Sequence, residues 1–137
     1  MVIMEEIYEA FDYTEQINVY SDGVKTRYSA GDDGYNKILA GWNKMIEGAH
    51  QMPALGVSIN KLTLQEMQKN LWVEFAFSKQ YECCGMPFKK LLVAVNKDYY
   101  GFNLIRYNTE YGYEGRCYYI DLVGKNMSEF YELLNNL

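Results

Sequence analysis

The stretch FKKLLVAVNKDYYGFNLIRYNTEYGYEGRCYYIDL, Phe88 to Leu122, decides the fold class. It reads as three strands, Phe88 to Val95, Gly101 to Tyr107 and Arg116 to Leu122. Aromatic and β-branched runs broken by Asn, Asp and Gly are hairpin material. Seven of the fourteen Tyr residues lie between Tyr99 and Tyr119. Sequential strands with short connections pair antiparallel.

Upstream, Leu71 to Phe77 alternates and reads as a fourth strand, and Ser78 to Pro87 reads as a loop. Gln16 to Tyr20 and Val24 to Tyr28 flank Ser21-Asp22-Gly23. Asp-Gly favours a type I′ turn, so this is an N-terminal hairpin. Between hairpin and meander, Tyr35, Ile38, Leu39, Trp42, Met45, Ile46 and Ala49 recur with the 3.6-residue period of a helix. Asp32 or Asp33 caps its start, and Gly48 and Pro53 mark its end. Residues 2 to 11 read as a short amphipathic helix from the spacing of Ile3, Ile7 and Phe11. Leu55 to Ile59 reads as a short extended piece. Thr63-Leu64-Gln65-Glu66 has the capping-box pattern and opens a short helix to about Asn70. Asn126-Met127-Ser128-Glu129 opens a final helix presenting Met127, Phe130, Tyr131 and Leu134.

The expected fold is α+β: one domain over residues 1–137, with an antiparallel sheet of about five to six strands and helices on one face. No repeat or linker interrupts it.

Alternation along the strands separates two faces. One carries Leu71, Val73, Phe75, Phe77, Leu91, Val93, Val95, Phe102, Leu104, Tyr118, Ile120 and Leu122, and is the expected core under the helices. The other carries Trp72, Glu74, Lys90, Leu92, Ala94, Asn103, Ile105, Tyr107, Cys117, Tyr119 and Asp121. That mixture is too polar for a second core and too aromatic for plain solvent, which is the composition of interfaces and ligand platforms. Trp72, Glu74, Ile105, Tyr107, Tyr119 and Asp121 are the candidate binding or interface residues. Glu74 stands alone as an acid among large apolar neighbours in mid-strand. The expectation is that it pairs with an Arg or Lys, the alternative being acid–base work with a raised pKa.

Composition narrows the function classes. Net charge is −5, and the acidity is local: up to Asp33 there are eight acids against two bases, and from Gly34 onward ten against eleven. Glu5, Glu6, Glu9, Asp12 and Glu15 make a segment that repels nucleic acid and acidic membranes. No apolar run approaches the roughly 20 residues of a membrane span. The acidic start lacks the features of a signal peptide, and three cysteines, an odd count, do not suit a disulfide framework. The expected setting is therefore cytoplasmic.

Chemical motifs are sparse. His50 is the lone histidine and sits where its cation would face a helix C-terminus. Cys83-Cys84 lacks the two-residue spacer of zinc and redox motifs, and with Cys117 it leaves a fourth ligand missing. Gly31-Asp32-Asp33-Gly34 and Gly112-Tyr113-Glu114-Gly115 have acidic interiors where a backbone clamp needs bases, so both read as turns. Asn96 to Gly101 begins like a calcium loop but puts Tyr at ligand positions. Asn126-Met127-Ser128 fits a glycosylation acceptor, which would be idle in the expected cytoplasmic setting, and the helix cap explains it. No metal, cofactor or catalytic residue is expected. The expectation is a non-catalytic domain that works by protein association, most simply as a homodimer. The alternative is a small-ligand or enzyme pocket lined by Tyr, Trp and Glu on the open sheet face.

Overall fold

The computed structural model describes residues 2–54 and 56–137. The order along the chain is β1 (Val2–Met4), a 3₁₀ helix (Ile7–Tyr13), β2 (Thr14–Ser21), β3 (Val24–Ser29), α1 (Asp33–Ile46), β4 (His50–Met52) and β5 (Val57–Ser58). Then follow α2 (Asn60–Glu66), β6 (Leu71–Cys83), β7 (Met86–Val95), β8 (Gly101–Tyr107), β9 (Gly115–Arg116), β10 (Tyr118–Asp121) and α3 (Ser128–Asn135). The fold is α+β. Its main sheet runs β3-β2-β6-β7-β8-β10-β4 with β1 added against β6, and β5 pairs with β9 in a small second sheet. The extra members beyond the expected five or six strands, β1 and β4, are three residues each and pair at the margins.

The Asp22-Gly23 hairpin forms as its turn chemistry requires, with both residues at positive φ (48° and 85°). The 3.6-residue stripe of α1 buries Tyr35, Ile38, Trp42, Met45 and Ile46. Every residue assigned to the core face of β6, β7, β8 and β10 is buried in one apolar cluster with α1, α3 and the 3₁₀ helix. Trp42 is its hub: the rings of Phe11, Phe75, Phe102 and Phe130 stand 5.0, 4.7, 5.3 and 5.6 Å from it, centroid to centroid.

Four local expectations are corrected. Residues 2 to 11 do not form one helix: Val2–Met4 pairs with β6, and the helical turn starts at Ile7. Ile3 consequently faces solvent while Ile7 and Phe11 enter the core. Residues 78 to 87 are not a loop. β6 and β7 continue across a register shift between Ala76 and Tyr81 to a two-residue turn at Cys84-Gly85, with φ of 56° and 77°. That is the turn geometry usually given to Asn-Gly, with Cys in the unusual first place. Helix α2 starts three residues before Thr63, because the Glu114 carboxylate accepts from the Asn60 amide at 2.8 Å and caps it from across the chain. His50 belongs to β4, beyond the C-cap Glu47 of α1, and is not part of that helix. Of the expected extended piece 55–59, Leu55 lies outside the described residues, and Val57–Ser58 is the strand.

No helix among the described residues is long and apolar enough to cross a membrane.

Candidate functional site

The sheet face opposite the main core is the place to look, because β6 carries both Trp72 and Glu74 there. That face is covered. Met67, Trp72, Leu92 and Tyr113 are buried together, with Tyr20, Ala94, Ile105 and Tyr107 packed around them. The cover is made by α2, the residues following it, and the loop before β9. A clamp holds the two covering segments to each other: Asn60 donates its amide to Glu114, and its Oδ1 accepts from the Tyr113 amide at 2.9 Å. Gly112, at φ 72°, lies against the Asn60 side chain, where a Cβ would sit 2.4 Å from Oδ1. Only glycine meets both demands.

This clamp presents the Tyr113 hydroxyl to Glu74, which is fully buried. The Tyr113 hydroxyl donates to Oε2. Asn18 Nδ2 donates to Oε1 at 3.0 Å, and the Tyr20 hydroxyl approaches the same oxygen at 3.4 Å. Gln16 holds the Asn18 carbonyl oxygen at 2.7 Å, which turns the Asn18 amide nitrogen toward the carboxylate. Among the described residues no Arg or Lys pairs with Glu74. The ion pairs among the described residues are Lys37–Asp33 and Lys44–Glu129, both exposed. Neutral donors instead satisfy the carboxylate, and hydrogen bonds to a charged group are about twice as strong as neutral ones. Burial, then the negative charge of Glu74, raises the Tyr113 and Tyr20 hydroxyls well above their ordinary value. Both remain donors at every physiological pH.

Glu74 lines neither the groove between α1 and α3, nor the cavity at the ends of β6 and β7, nor the cleft beside α2. Three donors of the chain itself enclose the carboxylate, and none of these three cavities reaches it. The arrangement holds the cover down.

The other candidate residues divide accordingly. Tyr107 is half-buried, packs edge-on to Tyr113 at 4.9 Å and receives the Lys90 ammonium 4.6 Å over its ring. Trp72 donates its indole N–H to the Lys69 carbonyl at 2.8 Å. Trp72 and Ile105 reach the edge of a small cleft of about 270 Å³, lined also by Val57, Ile59, Leu62 and Cys117. Tyr119 pairs with Asn103 and with Met52 of β4, strands away from Glu74. Asp121 accepts from the Val123 amide at 2.9 Å and turns the chain out of β10. The structure thus gathers Trp72, Glu74 and Tyr107 under the cover, with Ile105 at its rim, and leaves Tyr119 and Asp121 toward the β4 edge.

Sequence reasoning missed Asn18, Tyr20 and Tyr113. Asn18 and Tyr20 share a face of the hairpin strand with Gln16, and that alternation was available. Tyr113 sits inside a glycine-flanked turn, where no periodic signal exists. Cys117 buries beside Gly56 and Arg106, apart from the Cys83-Cys84 pair, so the three thiols do not form one site.

The remaining apolar surface is uneven. Met52, Val57, Ile59, Leu62 and Leu64 are 39%, 70%, 50%, 53% and 47% exposed, all within residues 52–64. Val57, Ile59 and Leu62 rim the cleft. The groove between α1 and α3, about 800 Å³, is apolar along Ala40, Gly41, Met45 and Leu133. Its lysines are engaged: Lys37 with Asp33, Lys44 with Glu129, and Lys125 with the Glu47 carbonyl at 2.7 Å.

No protein-family model, no curated protein and no solved structure matches the chain.

Proposed function

We propose that the chain is a non-catalytic association domain, and that its working surface is the apolar patch of β5 and α2, met by a second copy of the same chain. The observation that carries this is the concentration of five exposed large apolar side chains within residues 52–64. Contiguous exposed apolar surface is the usual mark of an interaction site. The patch adjoins Ile105 and Tyr119, so the candidate residues that keep some exposure extend it.

Charge selects the occupant. The chain carries −5 overall, yet Lys61 is the one charged residue between Met52 and Gln65. Two acidic copies repel wherever their charged faces meet, and this stretch, with Glu66 alone as an acid in the cleft lining, reduces that cost. Two-fold symmetry then buries one patch against itself. The cleft in the middle argues against a small ligand as the main occupant: 270 Å³ falls below the roughly 300–1,000 Å³ of ordinary ligand sites. A reducing, cytoplasmic setting suits the three free thiols.

Sedimentation of wild type, Leu62→Glu and Val57→Glu from low to high micromolar concentration tests this. The expected result is a wild-type dimer and two monomeric variants with unchanged melting. Both side chains are more than half exposed, and surface changes usually stay within about 0.5 kcal/mol. A wild type that remains monomeric at high micromolar concentration overturns the reading, as do variants that still dimerise.

A further inference from the structure

The tip of the β6–β7 hairpin gathers sulfur. In the turn, the Cys83 and Cys84 Sγ atoms lie 3.4 Å apart. Cys83 pairs across the sheet with Met4 of β1 on one side and Met86 of β7 on the other. All three belong to the core side: Met4 and Cys83 are buried in the main core, and half-buried Met86 packs against that core. Directly opposed residues place their Cβ atoms about 4.5–5.5 Å apart. The two thiols therefore sit at one end of the sheet with a methionine directly opposite Cys83 on either side. The Tyr118 hydroxyl fixes that end from inside, close to the carbonyls of Cys83 (2.9 Å) and Met86 (2.7 Å).

We propose that this sulfur cluster is a binding site for a monovalent thiophilic metal ion of the cuprous class, held by Cys83 and Cys84 with a thioether of Met86 or Met4 completing the shell. Thiolate and thioether ligands together select soft cations such as Cu(I). Zinc is a poor match. Its structural sites use four Cys, His or carboxylate ligands, and no group of three or more such residues is clustered among the described residues. A disulfide is a poor match too. Neighbouring Cα atoms are about 3.8 Å apart across a trans peptide, below the usual 4.4–6.8 Å for a bridge. Two sulfurs 3.4 Å apart instead form a bite open to a single ion.

The binding step balances simply. Two S–H bonds break, two metal–sulfur bonds form, and two protons leave to solvent, with no change of oxidation state. The protein-bound centre, Cu⁺ with two thiolates, carries one negative charge, and the thioether adds none. Cys83 is buried, and a thiol must lose its proton to ligate, so binding of the ion releases it. Exposed Cys84 supplies the entry point.

The test uses the reduced full-length chain under anaerobic conditions, with Cu(I) delivered from a colorimetric chelator. One ion per chain is expected, bound at least 100-fold more tightly than by the Cys84→Ser variant. Met86→Leu should weaken binding about tenfold, and Cys117→Ser should leave it unchanged. Because Cys84 is exposed, Cys84→Ser should melt like wild type, which separates lost ligation from lost folding. X-ray absorption of the loaded protein should show sulfur neighbours alone. The proposal fails if wild type binds no tighter than Cys84→Ser, if Cys117→Ser abolishes binding, or if nitrogen or oxygen dominates the copper shell.

Discussion

Replacing Tyr113 with Phe removes one oxygen from the covered face and keeps the ring that packs on Tyr107 and Met67. The lost group is a donor to Glu74, which is fully buried and forms no ion pair among the described residues. A hydrogen bond to a charged group contributes about 1.5–3 kcal/mol, and leaving the carboxylate oxygen without its donor favours the upper half of that range. At about 2.1 cal/mol/K per residue, a chain of 137 residues has an unfolding entropy near 0.29 kcal/mol/K, so each kcal/mol moves Tm by about 3.5 °C. Tyr113→Phe should thus lower Tm by roughly 7–10 °C in a calorimetric or circular-dichroism melt. The decisive control is a double-mutant cycle. In a Glu74→Leu background the same change should cost less than about 0.5 kcal/mol, because no charge remains to be served. A Tm drop below 2 °C, or equal costs in both backgrounds, would refute the assignment of Tyr113 as the donor that holds the cover onto Glu74.

Trp42→Ala should cost about 3–5 kcal/mol in denaturant unfolding, because a fully buried ring flanked by four others leaves a cavity. Trp42→Phe should cost less than half as much, since the indole N–H has no acceptor and its penalty of about 1–3 kcal/mol disappears with it. The stability contributed by the Tyr20 and Tyr113 hydroxyls should be fully present below pH 9 and be lost as pH rises past 10. Tyr20 and Tyr113 are raised above 10.0 in the folded chain, so the unfolded chain loses those protons first. The fall should be shallower in Tyr113→Phe, and an unchanged pH profile in that variant contradicts the linkage. Finally, DNA and RNA oligonucleotides should give no salt-sensitive binding at micromolar concentration, given the acidic N-terminal quarter, and such binding would overturn the charge argument.

Periodic segments were legible in the sequence, and segments whose partners lie far along the chain were not. The α1 stripe, the Asp22-Gly23 turn and the alternation of β6 to β10 each state their own answer within a few residues. The two faces of the sheet could be sorted because alternation leaves only a choice of register, and the dense aliphatic set on one side settled it. Two features defeated this reasoning. Ser78-Lys79-Gln80 breaks the alternation at a register shift, so one continuous hairpin read as a loop. The cover over Trp72 and Glu74 depends on Asn60, Tyr113 and Glu114, whose contacts join residues more than 50 positions apart. The face expected to be open was read correctly in composition and incompletely in what lies above it.

The two N-terminal strands lie end to end along one edge of β6 and run in opposite directions: β1 parallel over Tyr81–Cys83, β2 antiparallel over Leu71–Phe77. Neither has a central neighbour until β6 exists. Asn18 and Glu74 are 56 positions apart, so at about 5–20 residues per second a ribosome needs roughly 3–11 s to supply the partner. For that interval Ile7, Phe11, Ile17 and Val19 are exposed on a nascent chain, beside a hairpin able to pair with a neighbour's edge. Glu5, Glu6, Glu9, Asp12 and Glu15 are interleaved with those apolar positions. Charges flanking an unavoidable hydrophobic strand act as gatekeepers against aggregation during synthesis. The acidity of the first quarter of the chain thus has a consequence for synthesis: replacing those acids with neutral residues should raise aggregation of the waiting segment before β6 arrives.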